Sequence, residues 1–197
     1  MSNMLDLSAA QPRALPGSTA AAQAGWVLLF AAATAAGSRL EIPHVPVPFT
    51  LQTLAVLLAG AFLGARNGAF SQAAYLLAGV AGLPVFAGGS WGAALLLGPT
   101  GGYLLAFPLA ALVVGLLIDR YRTLAWSVIS MAAGLLVVFI LGTLQLYATT
   151  VRDFGAAVTS GFLIFSWWDI LKLGAAAMIY HEAAKKWRRL PVQRDRG

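Results

Sequence analysis

The chain alternates between long apolar runs and short polar or Gly/Pro-rich joins. A membrane-spanning helix needs about 20 mostly apolar residues. On that measure the pattern predicts six segments: Ala21–Ser38, Thr50–Ala65, Gly68–Leu83, Thr100–Ile118, Thr123–Tyr147 and Gly161–Ala183. The second is short. Glycines and prolines punctuate the joins, where they favour turns over continued helix. The expected architecture is an all-α integral membrane protein. It divides into a polar N-terminal tail (1–20), a six-helix membrane domain (21–184) and a basic C-terminal tail (185–197). No long internal repeat is visible, which argues against an inverted-repeat transporter.

Three connections stand out. "RLEIPHVPVPFTLQ" carries Pro43, Pro46 and Pro48, which remove donors and favour extended backbone. "GGSWGAALLLGPTGGY" (Gly88–Tyr103) is apolar and Gly-rich. "ATTVRDFGAAVTS" has almost no charge. Apolar connections of this kind are expected to fold over the bundle and line a pocket.

Composition supports the membrane reading. Of 197 residues, 59% are hydrophobic and only 10% charged, with a mean hydropathy of +0.78, whereas soluble domains carry roughly a quarter charged residues. The net charge of +6 suggests nucleic acid in a soluble protein, but here the basic residues sit at segment ends. With a cytoplasmic N-terminus, the inner side holds Arg13, Arg66, Arg120, Arg122, Lys185, Lys186, Arg188, Arg189, Arg194 and Arg196. The outer side holds Arg39 and Arg152. The positive-inside rule then places both termini in the cytoplasm and the Gly/Pro-rich connections outside. The bilayer is the expected surroundings, and no nucleic-acid role is expected. The N-terminus lacks the basic start and cleavage site of a signal peptide. Cysteine is absent, which removes disulfides and thiolate chemistry.

Gly88-Gly89-Ser90-Trp91-Gly92 fits the G-x-S-x-G pattern around a hydrolase nucleophile. Such a serine needs a base, and the histidines are His44, in the proline-rich loop, and His181, at the inner end of the last segment. Gly98-Pro99-Thr100-Gly101-Gly102 resembles a phosphate loop without the lysine that a Walker A motif requires. What remains is a helix start with Pro99 near its first turn. Thr100 and Tyr103 offer polar contacts there, and Gly101 and Gly102 permit close approach. Ser90 and Trp91 then belong to a lid.

Asp169 and Lys172 are three apart and share a helix face. Each costs roughly 2.5–3.5 kcal/mol at the centre of a membrane helix, so such residues usually face a cavity. Counted from Gly161, Asp169 lies about 12 Å into the segment. The pair is either a structural lock to a neighbouring helix or a ligand site. Trp167 stands beside it as a candidate wall. Thr50 and Gln52 at the start of segment 2 either bond another helix or contact a ligand. Tyr75 is expected in the core. Ala31, Ala32, Ala35 and Ala36 make two small-xxx-small pairs, which allow close helix approach within the protein or by a partner.

Four stretches, taken in order, resemble one family: "VPVPFTLQTLAVLLAGAFLG", "YLLAGVAGLPVFAGG", "LLLGPTGGYLLAFPLAA" and "DILK". The sequence looks like the biotin-specific substrate-binding subunits (BioY) of energy-coupling-factor transporters. The resemblance covers nearly the whole hydrophobic chain. It implies a six-helix subunit of the prokaryotic cell membrane that captures biotin from outside, with no cofactor. Its implied partners are a transmembrane coupling protein and ATP-binding-cassette ATPases. It also implies that Asp169 and Lys172 contact biotin, that Gly98 to Tyr103 line the pocket, and that Ala31–Ala36 face the coupling protein. The competing readings are an ion- or proton-coupled carrier working alone, with Asp169 titrating, and an intramembrane hydrolase using Ser90.

Overall fold

A computed structural model describes residues 19–121, 123–163 and 166–187; the two expected tails lie almost wholly outside them. The helices are α1 (Ala20–Arg39), α2 (Gln52–Val80), α3 (Gly101–Ile118), α4 (Leu124–Thr149), α5 (Phe154–Gly161) and α6 (Ser166–Trp187). Side-chain caps set several starts. Thr19 accepts from the Ala22 amide, Thr123 from Trp126 and Asp153 from Ala156, each satisfying an amide that lacks a helical partner. Among the described residues four helices, α1 to α4, are long and apolar enough to cross a membrane. Helix α6 has 22 residues but carries Asp169 and Lys172.

Helix α2 corrects the sequence reading, which placed its break between Ala65 and Gly68. Its 29 residues are interrupted at Gly64, with φ 76° and ψ 179°, a conformation open mainly to glycine. The two arms fold back on each other. A Cβ on Gly68 would stand 2.9 Å from the Gly60 Cα, and the Gln52 carboxamide reaches the Tyr75 hydroxyl at 2.5 Å. Residues eight apart in a straight helix are about 12 Å apart, so α2 is a hairpin. Counting its arms separately, the described residues contain six long helical arms.

Helix α3 is the centre of the bundle and packs chiefly against α2 and α4. Small residues set those distances: a Cβ on Gly60 would meet the Ala111 carbonyl oxygen at 2.5 Å. The buried core includes Val56, Leu57, Phe107, Val114, Met131 and Val138. Large apolar side chains such as Leu28, Leu109, Leu136 and Ile140 are exposed around the outside, the surface that acyl chains cover.

Two connections differ from expectation. The proline-rich stretch pairs its ends as a two-stranded antiparallel ribbon, β1 (Glu41–Ile42) with β2 (Phe49–Thr50). The fold is therefore not purely helical. Pro43 and Pro48 flank the strands and lack the amide that would extend the ladder. The stretch 154–161 is helical as α5, and α6 begins at Ser166 rather than Gly161. Asp169 therefore occupies the first turn of α6, not a point two turns further in. The ribbon, the 84–100 connection and the start of α6 gather at one end of the bundle. The Gly64 turn, with Arg66, packs against Gly115 near the other end of α3.

Replacing Gly60 with Val is expected to lower unfolding stability by about 1–3 kcal/mol, because α2 and α3 have no room for the added atoms. Gly25→Ala, with nothing within 4 Å of the new carbon, should leave the midpoint unchanged or slightly raised. Thermal scanning in detergent makes the comparison. Equal midpoints for G60V and wild type would remove the close contact.

Candidate ligand-binding site

At the ribbon end lies a cavity of about 390 Å³, within the range of small-molecule sites. Its walls are mostly apolar. Tyr103, Leu104 and Phe107 come from α3, and Val138 and Phe139 from α4. The ribbon loop adds Pro43, Val47 and Pro48, and the 84–100 connection adds Ala87, Gly88, Ser90, Leu95 and Thr100.

The polar floor joins α6 to the start of α2. Asp169 and Lys172 are 2% and 6% exposed. Lys172 Nζ lies 2.5 Å from Asp169 Oδ1. It also donates to Thr53 Oγ1 at 2.8 Å and to the Thr50 carbonyl at 2.9 Å. The Thr53 hydroxyl in turn donates to Asp169 Oδ1 at 3.0 Å. An ammonium has three protons, and three acceptors take them. This compensation lets two charges sit in an apolar bundle. Asp169 also stands in the first turn of α6, where the helix dipole favours a negative charge. Beside the floor, the Thr50 hydroxyl donates to Gln52 Oε1 at 2.9 Å, and Gln52 Nε2 donates to Tyr75.

Of the residues singled out from sequence, Thr50, Gln52, Ser90, Thr100, Tyr103, Asp169 and Lys172 line the cavity. Others do not. Trp91 is 61% exposed, with its indole beside Gly82. Gly98 does not line the wall; its carbonyl accepts from Gln145. Gly101 and Gly102 are buried where a side chain would collide with Leu96, Leu141 and Gln145, so these glycines permit packing around the start of α3 rather than ligand approach. The side chain of Trp167 lies outside the described residues. The small stripe of α1 is divided: Ala31 and Ala35 pack against the core, while Ala32 and Ala36 are exposed.

Sequence reasoning passed over Thr53, which bridges the charged pair, and Phe107 and Phe139 in the wall. Thr53 lies in the first turn of α2, on the side toward α6, a signal visible only once α6 is known to pack there. Tyr75 is buried against Phe86, with ring centroids 5.5 Å apart. Ser90 Oγ donates to the Ala87 carbonyl at 2.7 Å, closing a turn. His44 Nδ1 lies 3.3 Å from the Val47 carbonyl.

Fold and site together define a multi-pass membrane protein with a largely apolar pocket over a buried ion pair. The BioY family model matches residues 9–189, and the chain belongs to that family. It is 42% identical over 166 residues to the protein named biotin transporter BioY from Thermotoga maritima, covering 84% of this chain and 95% of that one. A probable biotin transporter BioY from Pyrococcus horikoshii is 40% identical, over 78% of this chain and 90% of its own length. The solved structure of the S-component for biotin from an ECF-type ABC transporter superposes with a TM-score of 0.79 at 26% identity. That match covers 87% of this chain and 95% of the other. The family is one of transporter components of the plasma membrane, not of enzymes, and the hydrolase reading of Ser90 is set aside on that ground.

Lys172→Met should destabilise the ligand-free protein by about 3–5 kcal/mol, because it strands a buried carboxylate. Adding Asp169→Asn to that variant should restore most of the loss. Denaturant unfolding in detergent reads both, and equal losses in the single and double variants would contradict the compensated pair.

Proposed function

We propose that this chain captures biotin at the extracytoplasmic face as the substrate-binding subunit of an ECF-type ABC transporter. The observation that carries the reading is the Asp169–Thr53–Lys172 floor under a small-molecule-sized cavity in a chain of this family. The biotin-named relatives and the S-component structure support it. The cavity lies at the ribbon end, opposite the Gly64 turn and Arg66, so the positive-inside rule puts its mouth outside.

Biotin offers ureido N–H donors, an apolar bicycle and a carboxylate tail. The described contacts to the Asp169 carboxylate converge on Oδ1, which directs a ring N–H toward Oδ2. All three protons of Lys172 are engaged by the protein. Its role is then to hold Asp169 charged and aimed, and the acid tail lies elsewhere along the cavity. Phe107, Phe139 and Val138 receive the bicycle. No cofactor enters this scheme. The chain carries no Walker A sequence, so the energy is supplied by separate ATPases through a membrane coupling protein. The exposed Ala32 and Ala36 of α1 are the surface proposed for that contact.

Tritiated biotin should bind the detergent-purified chain saturably, in the nanomolar-to-micromolar range. Asp169→Asn should weaken binding by about 10- to 100-fold, the scale of a charge-assisted hydrogen bond. Absence of binding to the folded wild-type chain would sink the proposal. Proton-driven uptake into liposomes holding this chain alone would favour the stand-alone carrier instead.

A further inference from the structure

The connection between α2 and α3 forms one wall of the cavity, yet it has little regular structure. It contains two 3₁₀ turns, Ala87–Gly89 and Ala93–Leu97, and positive φ at Gly88, Gly89 and Gly92. Segments of this kind commonly open locally. This one is hung from the bundle at both ends. At its start the Val85 carbonyl faces two hydroxyls: Ser38 Oγ from α1 at 2.7 Å, whose one proton is shared with the Ala35 carbonyl at 2.7 Å, and Tyr75 from α2 at 3.2 Å. Both donors are buried, at 0% and 1% exposure. At its end Gln145 of α4 gives one carboxamide nitrogen to two carbonyls, Leu96 and Gly98, each at 2.8 Å. None of Ser38, Tyr75 and Gln145 lines the cavity.

We propose that Ser38, Tyr75 and Gln145 are positioning residues for ligand retention. They act through the Val85, Leu96 and Gly98 carbonyls to hold the 85–98 wall in its binding geometry before ligand arrives. For its ligand the inference rests on the biotin-capture reading. A preordered wall avoids the ordering cost at binding. Loosening it should let ligand escape faster while encounter changes little, the usual division between dissociation and association rates.

The Val85 carbonyl has two side-chain donors, so losing one leaves the other. Ser38→Ala or Tyr75→Phe alone should raise the biotin dissociation rate about threefold. The double variant should exceed the product of the two, reaching about thirtyfold. Gln145→Leu should give about fivefold on the same scale. Association rates should stay within about twofold of wild type. Hydrogen exchange of the ligand-free full chain supplies the second readout. Amides of residues 88–95 should exchange faster in the double variant, with α2 and α4 protection unchanged. Unchanged dissociation and unchanged exchange at 88–95 would overturn the inference. Exchange that rises throughout the bundle would do the same, since it reduces the three residues to general stability. If the folded wild-type chain fails to bind biotin, the capture reading falls and the exchange measurement alone decides the wall.

Discussion

An ammonium and a carboxylate inside a bundle of apolar helices persist only where the protein supplies their partners. Lys172 and Asp169 meet that requirement through one hydroxyl and one carbonyl from another part of the chain, Thr53 and Thr50. The consequences run outward. Helix α6 must dock against the start of α2 and the end of β2. That docking brings the ribbon, the α2 start and the α6 start to one end of the bundle. The cavity is the space enclosed between this polar floor and the apolar walls of α3 and α4.

The remaining architecture keeps that end in register. The reversal at Gly64 lays the two arms of α2 side by side, so that Gln52 and Tyr75 meet. Gly60 lets α3 approach α2 closely enough to place Tyr103 and Phe107 in the wall. Tyr103 then donates to the Gly161 carbonyl at 2.7 Å, tying α3 to the end of α5. In lipid the apolar effect gives little drive between helices. Close packing of small residues and buried hydrogen bonds carries more of the association, which is why glycines recur at these crossings.

Division of labour in the pocket follows from the same geometry. A lysine whose protons are all taken by protein oxygens is placed to hold the Asp169 carboxylate. Helical spacing left the pair as either a structural lock or a ligand site, and its contacts to Thr50 and Thr53 tie it to the start of α2.

Much of this was legible in the residue pattern. The apolar runs marked the helical arms because lipid demands long uninterrupted stretches. The i,i+3 spacing of Asp169 and Lys172 declared a shared face because helical geometry is local. Motif order carried the family. Other features depended on contacts distant in sequence. Gly101 and Gly102 look like a ligand cradle, and only the approach of Leu96 and α4 shows how tightly they are packed. Trp91 looks like a cap and stands outside the cavity. The break in α2 fell at Gly64 rather than after it because a single positive φ reverses the chain there. Thr53 has no mark of its own, since one threonine in an apolar run acquires a role only when α6 lies across it. The sequence by itself determined the membrane class, the helical arms and the charged pair, because hydropathy and helical spacing act over a few residues. Which groups share the cavity was decided by tertiary structure, because that depends on which helices touch.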